Sequence, residues 1–257
     1  MSVEQLDRAE MNKQQATAGR KLSARLEPFD TYWQAPDDVE KGFSKFFTYY
    51  KANILPHLPA DKSKSILIVS CGPGYLANLL KSEGYTDVLG IDSDAQKIEP
   101  GLKRGLNLHA AEAFPFMADK RDRYDVIVLE QELNHLTYDE MLAFLGMCRE
   151  AMRHDGVMIC YGLNGANPLV GAENLAHNID HFNTFTDHSL YQVLHLAGFA
   201  DIRTMPLKLY VFWKNPLNYV GLVATGLMEL FFLACFKLYG KNSKTMSKKI
   251  AAVARKK

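Results

Sequence analysis

The chain alternates short, wholly apolar runs with longer stretches where apolar residues recur every three or four positions. Ile66 to Val69 is a continuous apolar run, the pattern of a strand buried on both faces. Similar runs lie at 88–92, 106–109, 125–130 and 157–161, with two more at about 201–207 and 209–214. Between them the spacing predicts helices over 75–83, near 94–103, from about Tyr138 to Arg153, and over 187–197. Thr186 is placed to cap the last helix and Gly198 to close it. Strands alternating with helices imply an α/β fold with a mostly parallel sheet covered on both faces. The last two runs predict an antiparallel pair at one edge.

Ahead of the first strand, residues 1–28 are polar, a marginal helix at best. Pro36 and the acids after it suit the first turn of a helix with Phe43, Phe46, Phe47, Tyr50 and Ile54 on one face. That helix stops near Pro56, so residues 1–57 read as a helical N-terminal cap on an α/β domain over 58–215.

Residues 216–257 have a different character. Leu217 to Phe236 carries one charge, Glu229, and is long enough to cross a bilayer. Wound at about 100° per residue, Asn218, Thr225 and Glu229 form one thin polar stripe. From Lys237 to Lys257 there are eight Lys or Arg and no acid. A spanning helix would put the domain and this basic tail on opposite sides of the membrane. The expectation is a helix lying in the inner leaflet, with the tail drawn to anionic lipid by about 1 kcal/mol per basic residue. Packing on the domain or a homodimer interface are the alternatives. The expected location is cytoplasmic, peripheral on the inner membrane face.

A net charge of +1 gives no pull towards nucleic acid, and the four cysteines have no metal-ligand spacing. The first residues lack the apolar stretch of a signal peptide.

The candidate chemistry sits where the first strand breaks. Ser70-Cys-Gly-Pro-Gly74 lies between the run 66–69 and a helical pattern. Strand, glycine turn and helix allow close backbone approach to a nucleotide and aim helix N–H groups at it. Twenty residues after Gly72, Asp92 ends the second strand, where a carboxylate can accept ribose hydroxyls. Gly72, Gly74 and Ala77 also fit a dinucleotide fingerprint loosely, and an ordinary βα turn would look much the same.

The wording around the glycines separates these readings. Ser-Cys-Gly-Pro-Gly, followed by Gly90-Ile-Asp-Ser-Asp94, resembles motif I and its continuation in class I S-adenosyl-L-methionine (SAM) methyltransferases. The resemblance runs from about Ser65 to Met205. It implies a Rossmann-like seven-stranded sheet and SAM as cofactor. By the same resemblance Ser70, Gly72 and Gly74 border the methionine part and ribose, Asp92 holds the ribose hydroxyls, and Ser93 adds polar contacts. Ala110 to Phe116 is similar to the family's adenine-lining segment, with Ala110 replacing its aspartate. That leaves the backbones of Ala111 and Glu112 for the adenine edge. Leu129 to Leu136 follows the family's Glu-His-Leu pattern with Asn134 for Glu. Glu130 and Gln131 are then expected to face the cofactor or acceptor, with His135 as a candidate base.

The passage 161–186 is similar to that of sugar- and polysaccharide-modifying methyltransferases of bacterial glycan clusters. His181, Phe185 and Thr186 match in position, whereas Asn178 and Asp180 depart. The resemblance implies His181 as the base that deprotonates a hydroxyl, oriented by Asp180 or another carboxylate. The activity it points to is O-methylation of a sugar on a glycan or lipid-linked glycan. A lipid, quinone or other small molecule is an alternative acceptor. Ile68 and Ser70, where the family has an acid and a glycine, also leave a non-catalytic binding subunit open.

Overall fold

A computed structural model describes residues 36–176, 181–208 and 216–257. Its centre is a seven-stranded sheet in the order β3-β2-β1-β4-β5-β7-β6. The strands are β1 (Ile66–Val69), β2 (Val88–Asp92), β3 (Leu108–Ala110), β4 (Tyr124–Glu130), β5 (Met152–Leu163), β6 (Ala200–Pro206) and β7 (Lys249–Arg255). The first five pair in parallel, and β7 runs antiparallel between β5 and β6. This is the Rossmann-like, mostly parallel architecture expected from the alternation of runs.

Helices α1 (Pro36–Asn53), α2 (Tyr75–Ser82), α3 (Ala95–Lys103), α4 (Ala113–Met117), α5 (Tyr138–Ala151), α6 (Gly171–Ala176) and α7 (Asp187–Leu196) accompany the sheet. Two apolar cores follow from strands buried on both faces. On one face Leu67, Val69, Ile127 and Leu129 meet Phe144 of α5 and Leu194 of α7. On the other, Ile66, Ile68, Val126 and Val128 meet Phe43, Tyr50 and Ile54 of α1 and Leu76, Leu79 and Leu80 of α2. Of the apolar face predicted for the cap helix, Phe43, Tyr50 and Ile54 are buried and Phe47 packs against them, whereas Phe46 is exposed. Thr186 caps α7 as expected, accepting the Ser189 amide at 3.1 Å, and Gly198 takes φ +84° just beyond it.

The sheet corrects the reading of the C-terminus. The run at 209–214 lies outside the described residues, as do residues 1–35 and Asn178 and Asp180. The strand that pairs with β6 is 249–255, which the charge pattern placed in a free basic tail. Its Ile250, Ala251, Ala252 and Ala254 are fully buried. Small residues suit a strand covered on both faces, but three alanines carry little strand propensity, and lysines on either side hid the run. The tail's charge is split in consequence. Lys256 bonds Asp122 (2.8 Å) and Lys257 bonds Asp201 (2.9 Å) at the amino edge of the sheet, while Lys249 lies at the carboxyl edge opposite Leu163.

The apolar segment forms α8 (Leu217–Leu238), inserted between β6 and β7. Removing residues 249–257 is expected to abolish cooperative thermal unfolding followed by circular dichroism. Replacing 217–238 with a short Gly-Ser linker is expected to preserve it. Ile250→Ala should cost about 2–4 kcal/mol in urea denaturation.

Candidate functional site

The site is built at the carboxyl edge of the parallel strands, where each βα turn opens. After β1 the chain turns sharply: Ser70 has φ +57°, Gly72 φ +50° and Gly74 φ +85°. Left-handed backbone suits glycine and strains serine. The two glycines do different work. A Cβ on Gly72 would meet nothing within 4 Å, so the backbone there is open to a ligand. A Cβ on Gly74 would come within 2.9 Å of Leu108 and 3.0 Å of Leu106, so this glycine lets the turn pack onto the start of β3.

Asp92 fixes the turn. Its carboxylate accepts the Gly72 amide at 2.9 Å and the Asp94 amide at 3.0 Å. Each oxygen keeps a lone pair for a further donor. Asp94 caps α3 through the Gln96 amide (2.8 Å), and its second carboxylate oxygen makes no hydrogen bond among the described residues. Ser93 between them is exposed. The Ala111 amide donates to the Asp92 carbonyl at 2.8 Å. That N–H is therefore not a donor to an adenine ring, which narrows the adenine contact expected of Ala111. Glu112 beside it is exposed.

β4 delivers a second group of side chains. Glu130 is held under the carboxyl edge, where the Tyr50 hydroxyl from α1 donates to it at 2.7 Å. Tyr161, its register partner on β5, lies with its hydroxyl 3.4 Å from that of Tyr50. Burial pushes the Glu130 carboxyl up to about 7, against the opposing effect of the tyrosine hydrogen bonds and of Lys249 nearby. Burial also raises both tyrosines well above their usual range and lowers Lys249. Tyr50 and Tyr161 were not singled out as site residues by the sequence. A tyrosine ending the apolar run 157–161 was the available signal for Tyr161. Tyr50 is hidden in the apolar face of its helix.

Beyond Glu130, Gln131 adopts φ +60° and begins a 3₁₀ turn, Glu132–His135. Glu132 accepts a hydrogen bond from the Ser70 hydroxyl, tying the ends of β1 and β4 together. The Asn134 carbonyl accepts the Phe182 (2.9 Å) and Asn183 (3.2 Å) amides, which pins the 181–184 loop onto this turn. The side-chain amide of Asn134 is buried against Gly162 and makes no hydrogen bond among the described residues. The pinning brings His135 and His181 edge to face, ring centroids 4.9 Å apart. The two base candidates, 46 positions apart in the chain, are thus neighbours. Phe185 is buried in the core and Thr186 caps α7, so those two matches serve packing and capping.

A family profile described as a methyltransferase domain matches residues 43–204, well over half the chain. The chain belongs to this family. It is a class I methyltransferase domain, and its cofactor is SAM. A protein of Cereibacter sphaeroides named ubiquinone biosynthesis O-methyltransferase is 29% identical over 156 residues, covering 53% of this chain and 60% of its own. The chain thus spans about three-fifths of the curated relatives it matches. Among solved structures, a SAM-dependent methyltransferase from Archaeoglobus fulgidus superposes with TM-score 0.60 at 15% identity, over 85% of this chain and 94% of that one. A Haemonchus contortus phosphoethanolamine N-methyltransferase in complex with SAM gives 0.56 at 12% identity, over 90% of this chain and 60% of that one. At these identities the structural likeness speaks to the fold.

The residues present fit SAM. Gly72 leaves room for the backbone to approach a ligand, and Asp92 is oriented by amides with accepting capacity to spare. In this methyltransferase Glu130 keeps its proton to about pH 7 when folded, whereas the unfolded chain releases it near the ordinary 4.5. Its contribution to stability is therefore complete below about pH 4.5 and lost as pH rises through about 7. Glu130→Gln should remove a decline on the order of 3 kcal/mol across that window. Chemical denaturation of both proteins from pH 4.5 to 8 checks this, and parallel curves would contradict it.

Proposed function

We propose that this methyltransferase methylates a hydroxyl oxygen of a quinone-class or other lipid-like small molecule, with His181 and His135 on the acceptor side. The observation that carries the reading is the histidine pair, drawn from two separate loops to the carboxyl edge that also holds Asp92. Paired imidazoles suit an oxygen acceptor, whose proton must leave as the O–C bond forms. The curated relatives named for ubiquinone biosynthesis support a hydroxyl on a quinone-type ring.

When bound, SAM would supply an already electrophilic methyl carbon, the S–C electron pair staying with its sulfur as a neutral thioether. The protein's share is alignment and proton removal. The Gly72 turn and Asp92 seat the nucleoside. One imidazole takes the acceptor proton. The Tyr50–Glu130–Tyr161 cluster closes the floor of the site on the cap-helix side.

A sugar hydroxyl on a lipid-linked glycan is the second reading, favoured by the position of His181 in its loop. Of the three matching residues behind it, Phe185 and Thr186 have structural duties, so His181 alone speaks for the acceptor.

Methyl-labelled SAM, offered with hydroxylated quinols and with nucleotide-linked and lipid-linked sugars, separates the readings by product mass spectrometry. Labelled quinol is the expected product, and a labelled sugar would replace the first reading with the second. His181→Ala should lower kcat by roughly 10²–10⁴ with SAM affinity unchanged. Full turnover in both His181→Ala and His135→Ala would sink the assignment of the base. Asp92→Ala should weaken SAM binding by roughly tenfold or more in calorimetry. Wild-type protein that neither binds SAM nor turns over any acceptor would support a non-catalytic subunit instead.

A further inference from the structure

Helix α8 is the one long described element whose residues are all unburied. It is long and apolar enough to cross a membrane. Its exposure is sided. Asn218, Gly221, Thr225 and Glu229 fall on a partly covered face that carries the polar stripe. Opposite them, Val220, Val223, Leu227, Leu230 and Phe231 are each more than 60% exposed. A continuous apolar face of this extent needs a partner.

The topology constrains that partner. β6 ends at Pro206, opposite Ile250 of β7, which in turn lies opposite Gly162 of β5. Gly162 follows Tyr161, the register partner of Glu130. The insertion holding α8 therefore leaves and re-enters the sheet at the carboxyl edge, beside the methyl-transfer site. Leu207 and Lys249, on either side of it, are hydrogen bonded to each other at 3.0 Å. Lys208 is held by Asn53 (2.8 and 2.9 Å), and Thr245 and Ser247 are held by Asn164 (3.2 and 2.9 Å).

Both ends of the helix are thus tethered to one edge of the domain. A 22-residue helix is about 33 Å long, enough to cross a bilayer core of about 30 Å. The stretch from Leu238 to Lys244 reaches only about 20 Å when fully extended, and that from Lys208 to Leu217 about 30 Å. The C-terminal stretch is too short to return the chain across that core. The C-terminal tether opposes a spanning placement, and an in-plane one is compatible with both tethers. The charges agree. Lys237 in the last turn of the helix and Lys241, Lys244 and Lys248 after it are exposed, with no acid among residues 230–257. This is the pairing of apolar face and basic flank that suits an anionic lipid surface.

We propose that α8 is an in-plane membrane-docking helix that lays the carboxyl edge of the sheet, with the methyl-transfer site, against an anionic bilayer. Joined to the reading of a lipid-like acceptor, on which this extension rests, the arrangement lets the substrate enter from the lipid phase without leaving it.

The test is vesicle flotation of the full chain with phosphatidylcholine vesicles containing or lacking phosphatidylglycerol. Wild-type protein should float with the anionic vesicles. Val223→Glu/Leu227→Glu, on the exposed face, should reduce the floated fraction at least tenfold. Lys237→Glu/Lys241→Glu/Lys244→Glu should reduce it on anionic vesicles alone. Calorimetric SAM binding by each variant should match wild type, showing that the fold is kept and separating failure of docking from failure of the methyltransferase reading. A bound protein with Cys235→Ser and either Pro216→Cys or Asn242→Cys should react at both positions with an impermeant maleimide added outside. Wild-type protein that stays with the unbound fraction, a solution dimer whose vesicle binding is nil, unchanged flotation of the Val223→Glu/Leu227→Glu variant, or protection of one labelled end would overturn the proposal.

Discussion

The carboxylate of Asp92 accepts the amides of Gly72 and Asp94, while its carbonyl takes the amide of Ala111. One residue at the end of β2 thereby fixes the turn after β1, the start of α3 and the exit from β3. The turn needs such a clamp, because Ser70, Gly72 and Gly74 all hold left-handed backbone that an isolated chain would seldom adopt together. Its geometry also sets the Ser70 hydroxyl on Glu132, which carries the order across to the end of β4. From there the Asn134 carbonyl gathers the 181–184 loop and seats His181 beside His135. The site is a chain of such ties between strand ends, and each apolar strand beneath contributes the rigidity that makes them repeatable.

Much of this was legible in the sequence because the signals are local. A continuous apolar run, a glycine turn and an acid at the next strand end are read within thirty residues, and their physical meaning is narrow. The Thr186 cap and Gly198 stop were legible for the same reason. The pairing of the two histidines was not, since it depends on a backbone contact between residues nearly fifty apart. Nor was the Tyr50–Glu130–Tyr161 cluster, which forms only once the cap helix lies across the strand ends. Within the helix, Tyr50 reads as one more apolar residue.

The C-terminus shows how composition misleads when long-range pairing decides the outcome. Lys249 to Arg255 looks like part of a solvated basic run. Its alanines instead lie between β5 and β6, fully buried together with Ile250. Once 249–255 is recognised as β7, the apolar helix stops being a terminal appendage and becomes an insertion tethered at both ends. That change alters what it can do. A free tail could thread a membrane, whereas an insertion closed at the carboxyl edge has both its ends returned to the domain. The same edge bears the Asp92 turn, so the surface proposed to meet lipid and the turn proposed to seat the cofactor are set by one strand order.

The central claim is that SAM occupies the Asp92-clamped turn at the carboxyl edge. Hydrogen–deuterium exchange with and without S-adenosylhomocysteine tests it most directly, because the readout is resolved along the chain and needs no knowledge of the acceptor. The account predicts slowed exchange in the segments 70–76, 92–97 and 130–136, with residues at the amino edge, such as 120–123 and 255–257, unchanged. Unaltered exchange at 70–76 and 92–97 under saturating ligand, or protection confined to another part of the chain, would contradict it.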